Sequence, residues 1–171
     1  MKMDIELLNR AMRAEARELG LCDEWYGQWS DDADIDELLN KYVRGIDFVI
    51  GKGFPEDDIL LRYAGKDKLR EHGIYLDSDI DEQVGSGVYV IGVGCTVKLK
   101  VDGFSVVTVY VRGNAQVDLQ ISENGKAFVE LYDDARLKIE NKGESRSFVY
   151  RHGGEVEKKG NVLVRDKTRQ P

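Results

Sequence analysis

Between residues 4 and 72 apolar residues recur every three or four positions, whereas from about residue 86 they recur every second position. The first spacing belongs to helices with one buried stripe and the second to strands with one buried face. The chain therefore divides, on its pattern alone, into a helical N-terminal part at 1–82 and a repetitive β-rich part at 83–166. A loose tail follows at 167–171.

In the first part, Ile5, Leu8, Met12, Ala16 and Leu19 share one side of a helix that Gly20 stops. Residues 21–33 form a connector with three large aromatics, Trp25, Tyr26 and Trp29. A second helix starts near Asp34 and carries a wide apolar stripe to residue 50, where Gly51-Lys52-Gly53 ends it. Pro55 suits the first turn of a short third helix through Tyr63, with Glu56, Asp57 and Asp58 at its positive end. One or two further turns fit 66–72, and Ile74-Tyr75-Leu76 is extended. The acidic run at 77–82 is the expected seam between the parts.

The second part is a repeat of the form small-x-apolar-x-apolar-x-apolar. Its copies are Cys95-Val97-Leu99-Val101, Ser105-Val107-Val109-Val111, Ala115-Val117-Leu119-Ile121, Ala127-Val129-Leu131, Ala135-Leu137-Ile139 and Ser147-Val149. Turn residues such as Asp102-Gly103, Gly113-Asn114 and Asn124-Gly125 separate them. Single steps between copies are 10, 10, 12, 8 and 12 residues, but double steps are 20, 22, 20 and 20. A paired interval steadier than the single one is what a coil of about 20 residues with two strands would produce. The outward residues support two sheets. Thr96, Lys98, Lys100, Gln116, Asp118, Gln120, Arg136, Lys138 and Glu140 are all polar. The alternate copies show Val106, Thr108, Tyr110, Phe128, Glu130, Tyr132, Phe148 and Tyr150, mostly apolar or aromatic. The expected fold is thus α+β, an N-terminal helical part followed by a C-terminal β-solenoid. The rival is an antiparallel β-sandwich or roll, because Asp-Gly and Asn-Gly are also hairpin signals.

In the coil, Val106, Phe128 and Phe148 fall in one column and Tyr110 and Tyr132 in another. The stripe Tyr110, Phe128, Tyr132, Phe148 and Tyr150 is the expected binding surface, since so much aromatic area is rarely left to water. The N-terminal helices, a second copy, a protein partner or a flat ligand such as a sugar ring could each cover it.

Charge narrows the partner. The net charge is −7, from Lys+Arg 25 and Asp+Glu 32, which disfavours nucleic acid as the main partner. No apolar stretch is long enough to span a membrane. The first residues, Met1-Lys2-Met3-Asp4-Ile5-Glu6, carry acids where a signal peptide needs an apolar run, so a cytoplasmic location is expected. Cys22 and Cys95 have no zinc-ligand spacing and are expected as two buried thiols in a reducing compartment, with a single disulfide as the alternative.

Chemistry is sparse. His72 and His152 lack ligand partners at zinc spacing, and His152 fits an exposed turn. Asp31, Asp32, Asp34 and Asp36 lack the glycine and closing glutamate of an EF-hand loop and fit helix capping better. Gly85-Ser86-Gly87 and Gly92-Val93-Gly94 precede neither a P-loop lysine nor a dinucleotide-binding helix. No catalytic residue, metal or cofactor is assigned, and an enzyme is disfavoured.

Several strings carry a kinship: Leu21-Cys22-Asp23-Glu24-Trp25, Arg44-Gly45-Ile46-Asp47-Phe48, His72-Gly73-Ile74-Tyr75, Thr108-Val109-Tyr110-Val111-Arg112, Tyr150-Arg151-His152-Gly153-Gly154 and Gly160-Asn161-Val162-Leu163-Val164-Arg165. Together they resemble an uncharacterised family from gut Bacteroidetes and their prophages or mobile elements. The resemblance spans nearly the whole chain. It implies a phage-related or accessory structural role and no catalytic residues. The expected function is a non-enzymatic binding or structural module acting through self-association or a protein partner. The alternatives are a carbohydrate-binding or carbohydrate-cleaving β-solenoid and a mobile-element inhibitor of a host nucleic-acid enzyme.

Overall fold

The chain divides into two compact units, Met1–His72 and Gly73–Pro171, and the computed structural model describes residues 2–168. The first unit holds six helices: α1 (Lys2–Glu18), α2 (Asp23–Gly27), α3 (Ile35–Arg44), α4 (Ile46–Lys52), α5 (Asp57–Tyr63) and α6 (Gly65–Glu71). Met12, Ala16, Trp29, Ala33, Leu38 and Phe54 form its buried cluster. Trp29 is held to α1 by polar contacts: its Nε1 donates to Asn9 Oδ1 at 2.6 Å, and buried Asn9 donates from Nδ2 to Ser30 O at 2.9 Å.

Asp34 caps α3, its carboxylate accepting from the Glu37 N–H at 2.9 Å. The single helix expected to residue 50 is broken at Gly45 into α3 and α4. Glycine is a poor helix former, and this one also makes room: a Cβ on it would sit 3.4 Å from the Trp25 ring. Pro55 does not open α5. It follows a cis peptide bond from Phe54, and Glu56 takes the cap position ahead of Asp57.

The second unit is a parallel β-solenoid of about four turns with roughly 20 residues per coil. Its strands are β1 (Ile74–Tyr75), β2 (Asp79–Gln83), β3 (Gly87–Ile91), β4 (Thr96–Val101), β5 (Val106–Val111), β6 (Gln116–Ile121), β7 (Lys126–Leu131), β8 (Arg136–Asn141), β9 (Arg146–Arg151), β10 (Glu155–Lys159) and β11 (Val162–Asp166). Odd strands form one sheet in the order β1-β3-β5-β7-β9-β11, and even strands form the other, β10-β8-β6-β4-β2. Every pairing is parallel, so the antiparallel alternative falls. The acidic run at 77–82 contains no seam. Most of it is β2, paired with β4, with Ile80 packed on the core. A strand whose outer positions are Asp79 and Asp81 resembles a linker only until its inner positions are considered.

The register gives a stricter period than the sequence did. Thr96, Gln116 and Arg136 align, as do Val107, Ala127 and Ser147. From β4 to β9 each rung is therefore ten residues long. The copies placed at Ala127 and Ser147 begin instead at buried Gly125 and Ser145, whose small size hid them from an apolar pattern. At Gly125 a Cβ would lie 2.7 Å from Ile121 Cγ2. The corners carry a left-handed residue every ten positions: Gly103, Gly113, Glu123, Asp133 and Gly143.

Inside, like residues stack along the axis: Val97-Val117-Leu137, Leu99-Leu119-Ile139 and Val109-Val129-Val149, all buried. One column ends in a polar residue, because Val101 and Ile121 are followed by Asn141. Ser147 Oγ donates to Asn141 Oδ1 at 2.7 Å, and Asn141 Nδ2 donates to Ser145 Oγ at 3.1 Å. Strands β10 and β11 extend the two sheets beyond this point. In the tail, the Lys167 N–H still donates to Arg151 O at 2.7 Å, while 169–171 lie outside the described residues.

Candidate functional site

Parallel pairing places residues of successive coils side by side, about 4.8 Å apart. On the outer face of the odd sheet, one row runs Val88, Thr108, Phe128, Phe148, Leu163, and the next runs Val90, Tyr110, Glu130, Tyr150, Arg165. Phe128 and Phe148 stack with centroids 5.4 Å apart and ring planes 12° from parallel. Val106 shares its row with Lys126 and Arg146, not with the phenylalanines. Tyr132 lies one residue beyond β7, so it does not share a column with Tyr110. Its ring stacks on His152 at 4.4 Å and 5°. The columns expected from the apolar pattern are displaced because Gly125 and Ser145, the small first residues of two rungs, carry no apolar signal.

All five residues of the expected surface, Tyr110, Phe128, Tyr132, Phe148 and Tyr150, lie on this side, and each is half-buried. Val106 and Leu163 beside them are 43% and 54% exposed. His152 is more constrained than a free turn histidine: besides the Tyr132 stack, its Nε2 lies 3.3 Å from Glu130 Oε2.

Two features escaped the apolar pattern. Phe104, at the corner before β5, is 83% exposed. The odd-sheet side also carries Arg112, Lys126, Arg146, Arg165 and Lys167 against Glu130, so it is locally basic on a chain of net charge −7. Lys167 Nζ stands 6.0 Å from the Tyr150 ring centroid, within cation–π range. The ten-residue step reveals Arg112, Lys126 and Arg146 at outward positions; Arg165 and Lys167 are brought to this face by the shorter return to β11, where Val162 pairs with Ser147.

The even sheet is different. Its outer face is a shallow trough of about 690 Å³. One row alternates in sign, Asp81, Lys98, Asp118, Lys138, Glu157. Opposite charges side by side on neighbouring strands favour this register over a slipped one. The face that sequence predicted as charged is therefore internally neutralised.

Among the described residues, no group of three or more His, Cys, Asp or Glu is arranged to hold a metal ion. His72 lies in the helical unit, with Nε2 2.8 Å from Asp36 Oδ1 and Nδ1 3.1 Å from Asn40 Oδ1. The His72 contact, followed by Lys68, holds the Asp36 carboxyl below its usual range. Both cysteines are free. Cys95 is buried, and burial pushes its thiol pKa up; Cys22 is exposed, contrary to the expectation that both are buried. It lies on the four-residue stretch between α1 and α2. No described helix is long and apolar enough to cross a membrane.

No family model, curated protein or solved structure matches this chain.

Proposed function

We propose that the protein is a non-enzymatic structural module that self-associates through the odd-sheet face of its solenoid. The observation that carries this is the half-buried aromatic ladder Phe128-Phe148 and Tyr132-His152, flanked by Tyr110 and Tyr150 on regularly spaced strands. Stacked rings on a flat sheet present a large apolar surface at little entropic cost. A second copy fits through the rings, and Glu130 offsets part of the cationic repulsion between two such faces. Glu130 stands among Arg112, Lys126, Arg146 and Arg165, so a two-fold axis near it sets each copy's carboxylate against the other's cations.

The magnitude is modest. The four strands β5, β7, β9 and β11 at about 4.8 Å spacing and five or six residues at about 3.3 Å rise give a face of roughly 20 by 20 Å. That is below the area a standard interface buries on each partner, so a dimer in the micromolar range is expected. Cations outnumber the carboxylate on each face, so two such faces repel at low salt, and added salt strengthens the pairing.

Sedimentation velocity across a concentration series tests the proposal. The expected result is a monomer–dimer equilibrium that tightens between 50 and 500 mM salt. It should be lost in Phe148→Asp and retained in Lys138→Gln on the even sheet. A monomer at every concentration overturns the proposal, and so does a dimer indifferent to Phe148→Asp. Association that weakens with salt overturns the face-to-face arrangement in favour of an acidic surface docking on the cations.

A further inference from the structure

The helical unit carries a half-open cavity of about 400 Å³. Met12 and Ala16 of α1, Leu38 of α3, Phe54 and the rings of Trp25 and Trp29 line it. This volume lies in the range of small-molecule sites, which are mostly apolar with a few placed polar groups. The polar groups here are mainly cationic. Lys41 and Arg44, three residues apart on α3, both line the cavity, with Asp47 as its one carboxylate. Arg44 lies over the Trp25 ring at 5.6 Å and Lys41 over the Trp29 ring at 5.9 Å, so each cation is placed at an aromatic wall.

We propose that this cavity binds an amphipathic monocarboxylate, its apolar body among Met12, Ala16, Leu38 and Phe54 and its carboxylate between Lys41 and Arg44. The charge arrangement carries the head group. Lys41 is partly buried, and its ammonium is disfavoured first by that burial and then by the neighbouring Arg44 charge. An anion between the two would remove the repulsion and replace the water that Lys41 lacks. Its one direct hydrogen bond among the described residues, to Gln28 O at 3.2 Å, leaves two ammonium protons for a carboxylate. The apolar lining selects the body. A hydrophilic anion such as phosphate would leave the half-buried Leu21, Trp25 and Phe48 surfaces facing water, while a neutral hydrocarbon would leave the cations unpaired. The exposed Cys22 also lines the cavity and offers an attachment point for a reporter.

The test uses the full chain and its own fluorescence, since its two tryptophans are both in the lining. Decanoate is titrated below its micellar concentration, with decanamide as the uncharged analogue. The expected result is a saturable, one-site change in emission with decanoate that is at least tenfold weaker with decanamide. Lys41→Met, which keeps the apolar stem, should weaken decanoate binding at least tenfold, and Lys41→Arg should retain it. Circular dichroism of each variant shows whether the helices are intact. If Lys41→Met unfolds, Arg44→Gln takes its place with the same expected loss. The proposal is overturned by a response appearing only above the micellar concentration, by equal affinity for decanoate and decanamide, or by a folded Lys41→Met that binds as the parent does.

Discussion

Two corner residues of the solenoid occupy a backbone conformation that suits glycine. Glu123 and Asp133 have φ of 57° and 59°, where the equivalent Gly103, Gly113 and Gly143 have 60°, 66° and 65°. A side chain in this region costs roughly 1–2 kcal/mol. Asp133 recovers part of it, because its Oδ2 accepts from the Gly113 N–H of the preceding coil at 2.8 Å. Glu123 has no comparable bond among the described residues. Glu123→Gly is therefore expected to stabilise the fold by about 0.5–1 kcal/mol, after the extra freedom of glycine in the unfolded chain is subtracted. Asp133→Gly is expected to gain less or nothing. Urea unfolding of the two variants beside the parent measures the difference. These corners were legible as turns from their Asn, Asp and Gly content. Their constant spacing was not, because a glutamate at position 123 carries no turn signal of its own.

At the scale of the element, the even and odd strands differ in what they show outside while sharing one interior. That sharing is why alternation in sequence revealed two sheets: a residue that faces inward in any rung is apolar or small, and its neighbours are free to differ. The reading failed where an inner position was filled by Gly125, Ser145 or Asn141, residues whose burial comes from packing and hydrogen bonding rather than hydrophobicity. It failed likewise at β2, where outward acids masked a strand. In the helical unit the stripes and the Asp34 cap were legible. The cavity was not, because it joins α1, the connector and α3 across distances that no local pattern spans. The Asn141 cluster ends the apolar columns, and its hydrogen bonds are mutual. Asn141→Ala removes the acceptor of buried Ser147 Oγ and should cost about 1–3 kcal/mol. Asn141→Ala combined with Ser147→Ala should cost less than the sum of the two single changes, because no donor is then left unpaired. A double-mutant cycle by thermal or urea unfolding checks this.

Across the whole molecule, charge and greasiness are sorted by face. The even sheet neutralises itself row by row, and the odd sheet gathers cations beside aromatics. The helical unit holds most of the chain's excess of acids over bases. A net charge of −7 thus describes no single surface. The stacking is quasi-one-dimensional, each rung supported by the coils on either side. Amide exchange should accordingly be slowest in β5, β6, β7 and β8, which have a neighbour on both edges and an apolar column beneath. It should quicken toward β10 and β11, edge strands whose outer positions are open to solvent and whose inner Val156 and Val164 are only half-buried. Mass-resolved exchange over peptic fragments reads this gradient, and uniform protection from β3 to β11 would contradict it.

The even cadence of the rungs also makes length adjustable. Because successive coils are interchangeable in backbone path, an in-frame duplication or loss of one full coil between β4 and β9 leaves both exteriors aligned and both ends intact. Duplicating a single rung would turn every later outer face to the opposite side. Lineages of this chain would then differ by whole coils, with the reach of the ringed face growing in proportion.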